Sequence, residues 1–298
     1  MKDKIRKLLK KRNAVMLAHN YQPREIQDLA DFCGDSLELS IKASRTDADV
    51  ILFCGVNFMA ETASVLSPQK IVLLPNHDAG CPMADMITPE ALRARLAELG
   101  PMPVVTYVNS PASVKALSTI CCTSANAISV VNSLDDNAVL MTPDRNLARN
   151  TAVHTEKKIH VWDGCCPIHD LLTPEDIEKA RQTHPFAVVM AHPECRPEVV
   201  AMADAALSTS GMIRFAKDSD KTEFIMATET GMLYPLQKAN PGKQFYAASE
   251  RMICTDMKKI TLADIVRCLE NMEGQVKVPE DVREPALQAV QRMIDLSI

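Results

Sequence analysis

The stretch GCCPIHD, Gly164 to Asp170, sets two cysteines side by side and a histidine three residues after the second. Thiol and imidazole at that spacing can be half of a disulfide, a C-x-x-H zinc pair, or one ligand of a larger centre whose other members lie elsewhere. The chain holds ten cysteines, at positions 33, 54, 81, 121, 122, 165, 166, 195, 254 and 268. Three of them recur in matching surroundings: Cys81 in AGCPMADM, Cys166 in GCCPIHDL and Cys254 in RMICTDMK, spaced 85 and 88 residues apart. Thiolate sulfur from three such points suits zinc or an iron–sulfur cluster. A structural zinc site would want paired C-x-x-C ligands, which are absent, although His169 could close a zinc tetrahedron. A [4Fe–4S] cluster held by three cysteines instead of four would keep one iron open as a Lewis acid.

The elements that must bring these thiols together repeat three times. AVMLAHNYQPREIQDLADFCGDSLELS from Ala14, PVVTYVNSPASVKALSTICCTSANAIS from Pro103 and AVVMAHPECRPEVVAMADAALSTSGMI from Ala187 each open on an apolar strand. A polar turn with a proline, a helical stretch and a Ser/Thr turn opening another helix follow. Downstream, ADVILFCGVNFMAETASVL, NAVLMTPDRNLARNTA and TEFIMATETGMLYPLQ are each a strand running into a helix, and KIVLLP, KIHVWD and QFYAAS are third strands just before the cysteines. Strands alternating with helices imply βαβ crossovers and parallel sheets. The expected fold is α/β: three pseudo-symmetric three-layer α/β/α domains around a central cluster site. The expected bounds are 1–86, 87–172 and 173–298, with the chain's N-terminal helix a candidate to pack on the third.

Ligands of parallel sheets bind beyond the carboxyl ends of the strands. There the first strand of each repeat ends in His19-Asn20-Tyr21, Tyr107-Val108-Asn109 or His192-Pro193-Glu194. The second turn supplies Ser36, Ser124 and the run Ser208-Thr209-Ser210. These hydroxyls can cap helices, and three helix N-termini facing one axis would also bind a small polyanion. Cys165 takes the place Gly80 has in the first repeat and is read as a bystander to Cys166.

Composition narrows the partners. The 298 residues are 47% hydrophobic, enough for a sizeable core, and carry a net charge of −5. Basic residues are dispersed except in MKDKIRKLLKKR, an amphipathic first helix, so nucleic acid is not expected. No apolar run reaches the roughly 20 residues of a membrane span, and charges occupy the place of a signal-peptide core. A cytoplasmic protein with reduced thiols is expected, which removes the disulfide reading. No Walker or G-x-G-x-x-G loop is present.

Motifs along nearly the whole chain carry a family resemblance: LAHNYQPREIQDLADFCGDSLELS, FCGVNFMAETA, AGCPMADM, YVNS, CTSANA, PDRNLA, CPIHD, HPEC, TETGM and MKKITLADIV. In this number and order they resemble the quinolinate synthase family, the quinolinate synthetase A proteins of NAD biosynthesis. The resemblance implies a transferase that condenses iminoaspartate with dihydroxyacetone phosphate to quinolinate, losing phosphate and water. It implies a [4Fe–4S] cluster on Cys81, Cys166 and Cys254. Substrate contacts would come from His19, Ser36, Tyr107, Val108, Asn109, Ser124, His192, Pro193, Glu194 and Thr209, with Val108 and Pro193 acting through backbone and shape. Glu194 and Tyr21 are candidates for proton transfer, and His169 for orienting an intermediate. Longer members carry C-x-x-C-x-x-C near the C-terminus; this chain has only Cys254 and Cys268 there, so no disulfide switch of that type is expected. Transient docking to the enzyme that makes iminoaspartate is a candidate partnership. Two other readings stay open: an aconitase-like iron–sulfur hydro-lyase acting on a hydroxy-dicarboxylate, and a non-enzymatic metal or redox sensor.

Overall fold

A computed structural model describes residues 1–297. The apolar runs form twelve strands in three sheets of four. The first sheet holds β1 (Ala14–His19), β2 (Phe32–Gly34), β3 (Val50–Cys54) and β4 (Ile71–Leu73). The second holds β5 (Val104–Tyr107), β6 (Ile120–Cys122), β7 (Ala138–Thr142) and β8 (Lys158–Val161). The third holds β9 (Val188–Ala191), β10 (Ala205–Ala206), β11 (Glu223–Ala227) and β12 (Gln244–Ala247). Each sheet has the same order, with its own second strand outermost, then first, third and fourth: β2-β1-β3-β4, β6-β5-β7-β8 and β10-β9-β11-β12. Every pairing within them is parallel. The VILFC run of β3 is buried at all five positions, as expected of a parallel strand covered on both faces.

The α/β/α expectation holds, with one element per unit added. β2, β6 and β10 lie inside stretches read as helix and turn; the helices there are single turns, Arg24–Gln27, Ala112–Lys115 and Pro197–Val200. The strands carrying the repeat to its cysteine are therefore fourth, not third, in each unit.

Two backbone devices recur at each cysteine. The amides of Asn57, Arg145 and Thr230, just past β3, β7 and β11, donate to the carbonyls of Ala79, Gly164 and Met252 at 2.8, 2.7 and 2.9 Å. Each acceptor lies two residues before its cysteine, so the same bond pins all three cysteine loops to the carboxyl end of a sheet. Seven residues after each cysteine, Thr88, Thr173 and Thr261 cap helices Pro89–Leu99, Pro174–Thr183 and Leu262–Asn271, each accepting a backbone N–H.

The first two of these helices cover the next unit. Leu92 packs with Val104 and Leu140 of the second sheet, and Ile177 with Val189 and Ile225 of the third. Helix Leu262–Asn271 returns to the first unit, where it lies against the N-terminal helix Lys2–Lys11: Arg12 donates to the Leu269 carbonyl at 3.0 Å, and Lys4 pairs with Glu270 at 2.7 Å. Beyond it, residues 274–276 run antiparallel beside β4, with Leu74 N–H to Gly274 O at 2.8 Å and Val276 N–H to Val72 O at 2.9 Å. Helix Glu280–Asp295 then lies against β6 and against helices Ala112–Lys115 and Asn57–Leu66.

Candidate functional site

The carboxyl ends of the three sheets enclose a cavity of about 70 Å³. The first unit lines it with His19, Tyr21, Ser36 and Cys81, the second with Tyr107, Asn109, Ser124, Cys166 and His169, and the third with His192, Glu194, Thr209 and Cys254. All expected site residues thus meet at one cavity except Val108 and Pro193. The Val108 amide donates to the Cys122 carbonyl at 2.9 Å. Pro193 faces a neighbouring cavity, its carbonyl held by Asn150 at 2.8 Å.

Alternation along the chain explains the selection. In HPE and HNY, residues two apart project the same way, and each turn closes on its own histidine. The Tyr21 amide donates to His19 Nδ1 at 3.2 Å, and the Glu194 amide to His192 Nδ1 at 3.3 Å. Burial pushes both imidazoles down to about 3, with His192 and Lys258 adding to the effect at His19, so both rings are neutral. With Nδ1 accepting, the proton of each neutral ring sits on Nε2. That N–H of His192 donates to Ser124 Oγ at 3.2 Å.

The helix starts differ from the capping expectation at two of the three turns. Asp35, not Ser36, is the cap of helix Ser36–Arg45, accepting the Leu37 and Glu38 amides at 3.1 and 3.0 Å. Ser124 caps nothing. Ser208 does cap its helix, through the Gly211 amide at 3.2 Å. Ser36 and Thr209 therefore stand at the first helical position and line the cavity, with Thr209 Oγ1 accepting from Asn20 Nδ2 at 2.9 Å.

A directed hydrogen-bond chain crosses the site. Tyr21 Oη lies 2.7 Å from Thr228 Oγ1, Thr228 Oγ1 3.0 Å from His169 Nε2, and His169 Nδ1 2.7 Å from Glu194 Oε2. Phenol to hydroxyl, hydroxyl to Nε2 and Nδ1–H to carboxylate pairs every donor with one acceptor. Burial alone would raise the Glu194 pKa, but His169, His192 and the Tyr107 hydroxyl outweigh it and hold the carboxyl ionised. Burial, reinforced by Glu194, raises both Tyr21 and Tyr107, so each remains a phenol able to donate.

Thr228 was not legible as a site residue, nor were two buried acids. Asp144 accepts the Cys166 amide at 3.0 Å and Glu229 accepts the Cys254 amide at 3.1 Å. They stand two residues beyond β7 and β11, at equivalent positions, and Val56 is their counterpart beyond β3. Aligning the three downstream segments for acids at that offset could have found them. Lys258 neutralises Glu229 at 2.9 Å, while burial and the neighbouring Glu194 raise Asp144.

Three thiols, one from each unit, line this cavity, and thiolate sulfur from three sides suits a metal–sulfur group. Burial raises all three, Cys81 to about 12, so ligation must displace protons. Cys166 also has His169 and Glu194 within reach, their ligand atoms within 4.8 Å of one another. No helix among the described residues is long and apolar enough to cross a membrane.

Three parallel α/β units, a shared thiol-lined cavity and a wired acid–base chain define an enzyme. The family model described as quinolinate synthetase A protein matches residues 3–295. Among curated relatives, the quinolinate synthase of Geobacter sp. (strain M21) is 52% identical over 294 residues, spanning 99% of this chain and 97% of the relative. That of Geobacter metallireducens is 53% identical over the same shares, and quinolinate synthase 1 of Methanosarcina acetivorans is 52% identical over 296 residues, 99% and 97%. The chain belongs to the quinolinate synthetase A family.

Proposed function

We propose that the chain condenses iminoaspartate with dihydroxyacetone phosphate to quinolinate, releasing phosphate and water. The observation that carries this reading is the meeting of Cys81, Cys166 and Cys254 with the Tyr21–Thr228–His169–Glu194 chain on one cavity. Held by the three cysteines, a [4Fe–4S] cluster would supply a Lewis-acidic iron without a protein ligand.

The protein's own groups do the rest. His19 presents a neutral Nε2–H donor, and His192 gives its Nε2–H to Ser124 and so frees that hydroxyl's own proton; with Ser36 these suit the carboxylates of a four-carbon dicarboxylate. Tyr107, Asn109 and Thr209 complete the pocket, and the Val108 and Pro193 backbones space their neighbours. Glu194, held ionised, is the base that takes a proton from substrate carbon. Tyr21, held as a phenol, is the acid that protonates a departing hydroxyl, and Thr228 and His169 tie it by hydrogen bonds to Glu194; both groups regain their starting protonation from water once the product has left. His169 keeps the carboxylate oriented. The reading places the enzyme in the cytoplasm, where reduced thiols persist, with transient docking to the producer of its unstable substrate.

Anaerobic purification with iron and sulfide analysis, followed by a quinolinate assay from the two substrates, tests the reading. Cluster-dependent product formation is expected; full activity of metal-free protein would overturn it. Cys166→Ala is expected to lose the cluster and Cys165→Ala to retain it.

A further inference from the structure

Lys115 has no part in the proton path. Its side chain is fully buried at the end of helix Ala112–Lys115. Burying an ammonium is costly unless something compensates for it. Its Nζ donates to the Ser110 carbonyl, not to a carboxylate. The nearest acid, Glu61, is committed elsewhere: its Oε2 accepts the Ala112 amide at 2.8 Å. Burial lowers the lysine's pKa, and Glu61, with the thiols of Cys121 and Cys81, opposes that.

Two routes lead from Nζ to the cavity. Nζ sits 5.6 Å from the centre of the Phe58 ring, and Phe58 is part of the cavity wall. Through Ser110 it also reaches the loop of Tyr107 and Asn109, for the Ser110 hydroxyl donates to the Tyr107 carbonyl at 3.0 Å. The buried acids that line the same cavity are Asp35, Glu194 and Glu229, with Asp144 behind them on the Cys166 amide, whereas Lys115 is the one buried lysine or arginine among the described residues. Lys258 pairs with Glu229, and burial raises Asp35 and Asp144, so Glu194 is the carboxylate held ionised against the cavity, and it repels a dianion unless further positive charge stands nearby. A charge behind an aromatic wall acts through a medium of low dielectric and is poorly screened.

We propose that Lys115 is a positioning residue that supplies the positive field for a dicarboxylate substrate, acting through the Phe58 wall and the Tyr107–Ser110 loop without touching the substrate. The proposal rests on the dicarboxylate reading of the site given above. The probes are succinate, a stable four-carbon dianion, and succinamate, its singly charged amide, titrated into cluster-loaded protein by calorimetry. Lys115→Met is expected to weaken succinate about tenfold and succinamate about threefold, because the interaction energy with a fixed field scales with probe charge. Lys115→Arg restores most of the succinate affinity. Glu61→Gln, which removes the opposing charge and keeps an acceptor for the Ala112 amide, is expected to tighten succinate more than succinamate. Equal loss of both probes in Lys115→Met, or no loss, overturns the proposal. If that variant does not fold, Glu61→Gln decides: preferential tightening of succinate supports the field, and unchanged or equal affinities overturn it. Wild-type protein that binds neither probe would instead overturn the dicarboxylate reading itself.

Discussion

His19 and His192, at corresponding turns of the first and third units, share one wiring, and it has a measurable consequence. Both imidazoles have folded pKa values of about 3 because they are buried, against an ordinary 6.5. An unfolded chain takes up their protons from 6.5 downward, while the folded chain resists until about 3. Their contribution to stability is therefore fully present above 6.5 and is lost as pH drops toward 3. The urea midpoint should decline over that window, and His192→Asn should flatten the slope by about one proton's worth. Thr228 offers a second test: Thr228→Val keeps the shape and breaks the relay between Tyr21 and His169. Steady-state kinetics should show kcat down by about 10²-fold with KM changed less than about twofold. Histidines, tyrosines and Glu194 were legible because their types and strand-end positions announce chemistry. Thr228 was not, since a threonine beside an acidic turn in ATETG looks like any cap, and only its two partners from other units give it a role. Of the two roles open to Ser36, the cap falls to its neighbour Asp35, whose carboxyl takes the Leu37 and Glu38 amides.

Gly274 shows what an element end can demand. Its φ is +83°, and a Cβ there would stand 2.4 Å from the Leu74 carbonyl that lies beside it. Gly274→Ala combines left-handed strain with a backbone clash and should cost about 2 to 4 kcal/mol in urea unfolding. The strip it begins covers the β4 edge, which would otherwise present unpaired backbone groups. None of this was visible in the sequence, where MEGQVKVP carries no strand-length apolar run. The same shortness hid β2, β6 and β10: two or three residues cannot establish a period, and their neighbours favoured helix. The longer β1, β3, β5, β7, β9 and β11 stood out because runs such as VILFC are apolar at every position.

On the scale of the whole molecule, each unit's cover comes from a neighbour, and the first unit's comes from the far end of the chain. Helix Glu280–Asp295 buries Ala286, Ala289, Val290, Met293 and Ile294 between parts of the first two units. A chain ending at Met272 would lose that helix and the strip over β4. It should elute in gel filtration as higher oligomers, through the opened sheet edge. The threefold arrangement was legible from cysteine spacing, but its closure was not, because contacts between residues 4 and 270 leave no local pattern. That closure also sets a timetable for biosynthesis. All three cavity cysteines leave the ribosome before residues 274–295, which complete the first unit's edge and its contact with the second. A nascent chain thus carries its full set of cavity thiols before the shell that shelters them is finished, so those thiols are more exposed during synthesis than in the folded chain.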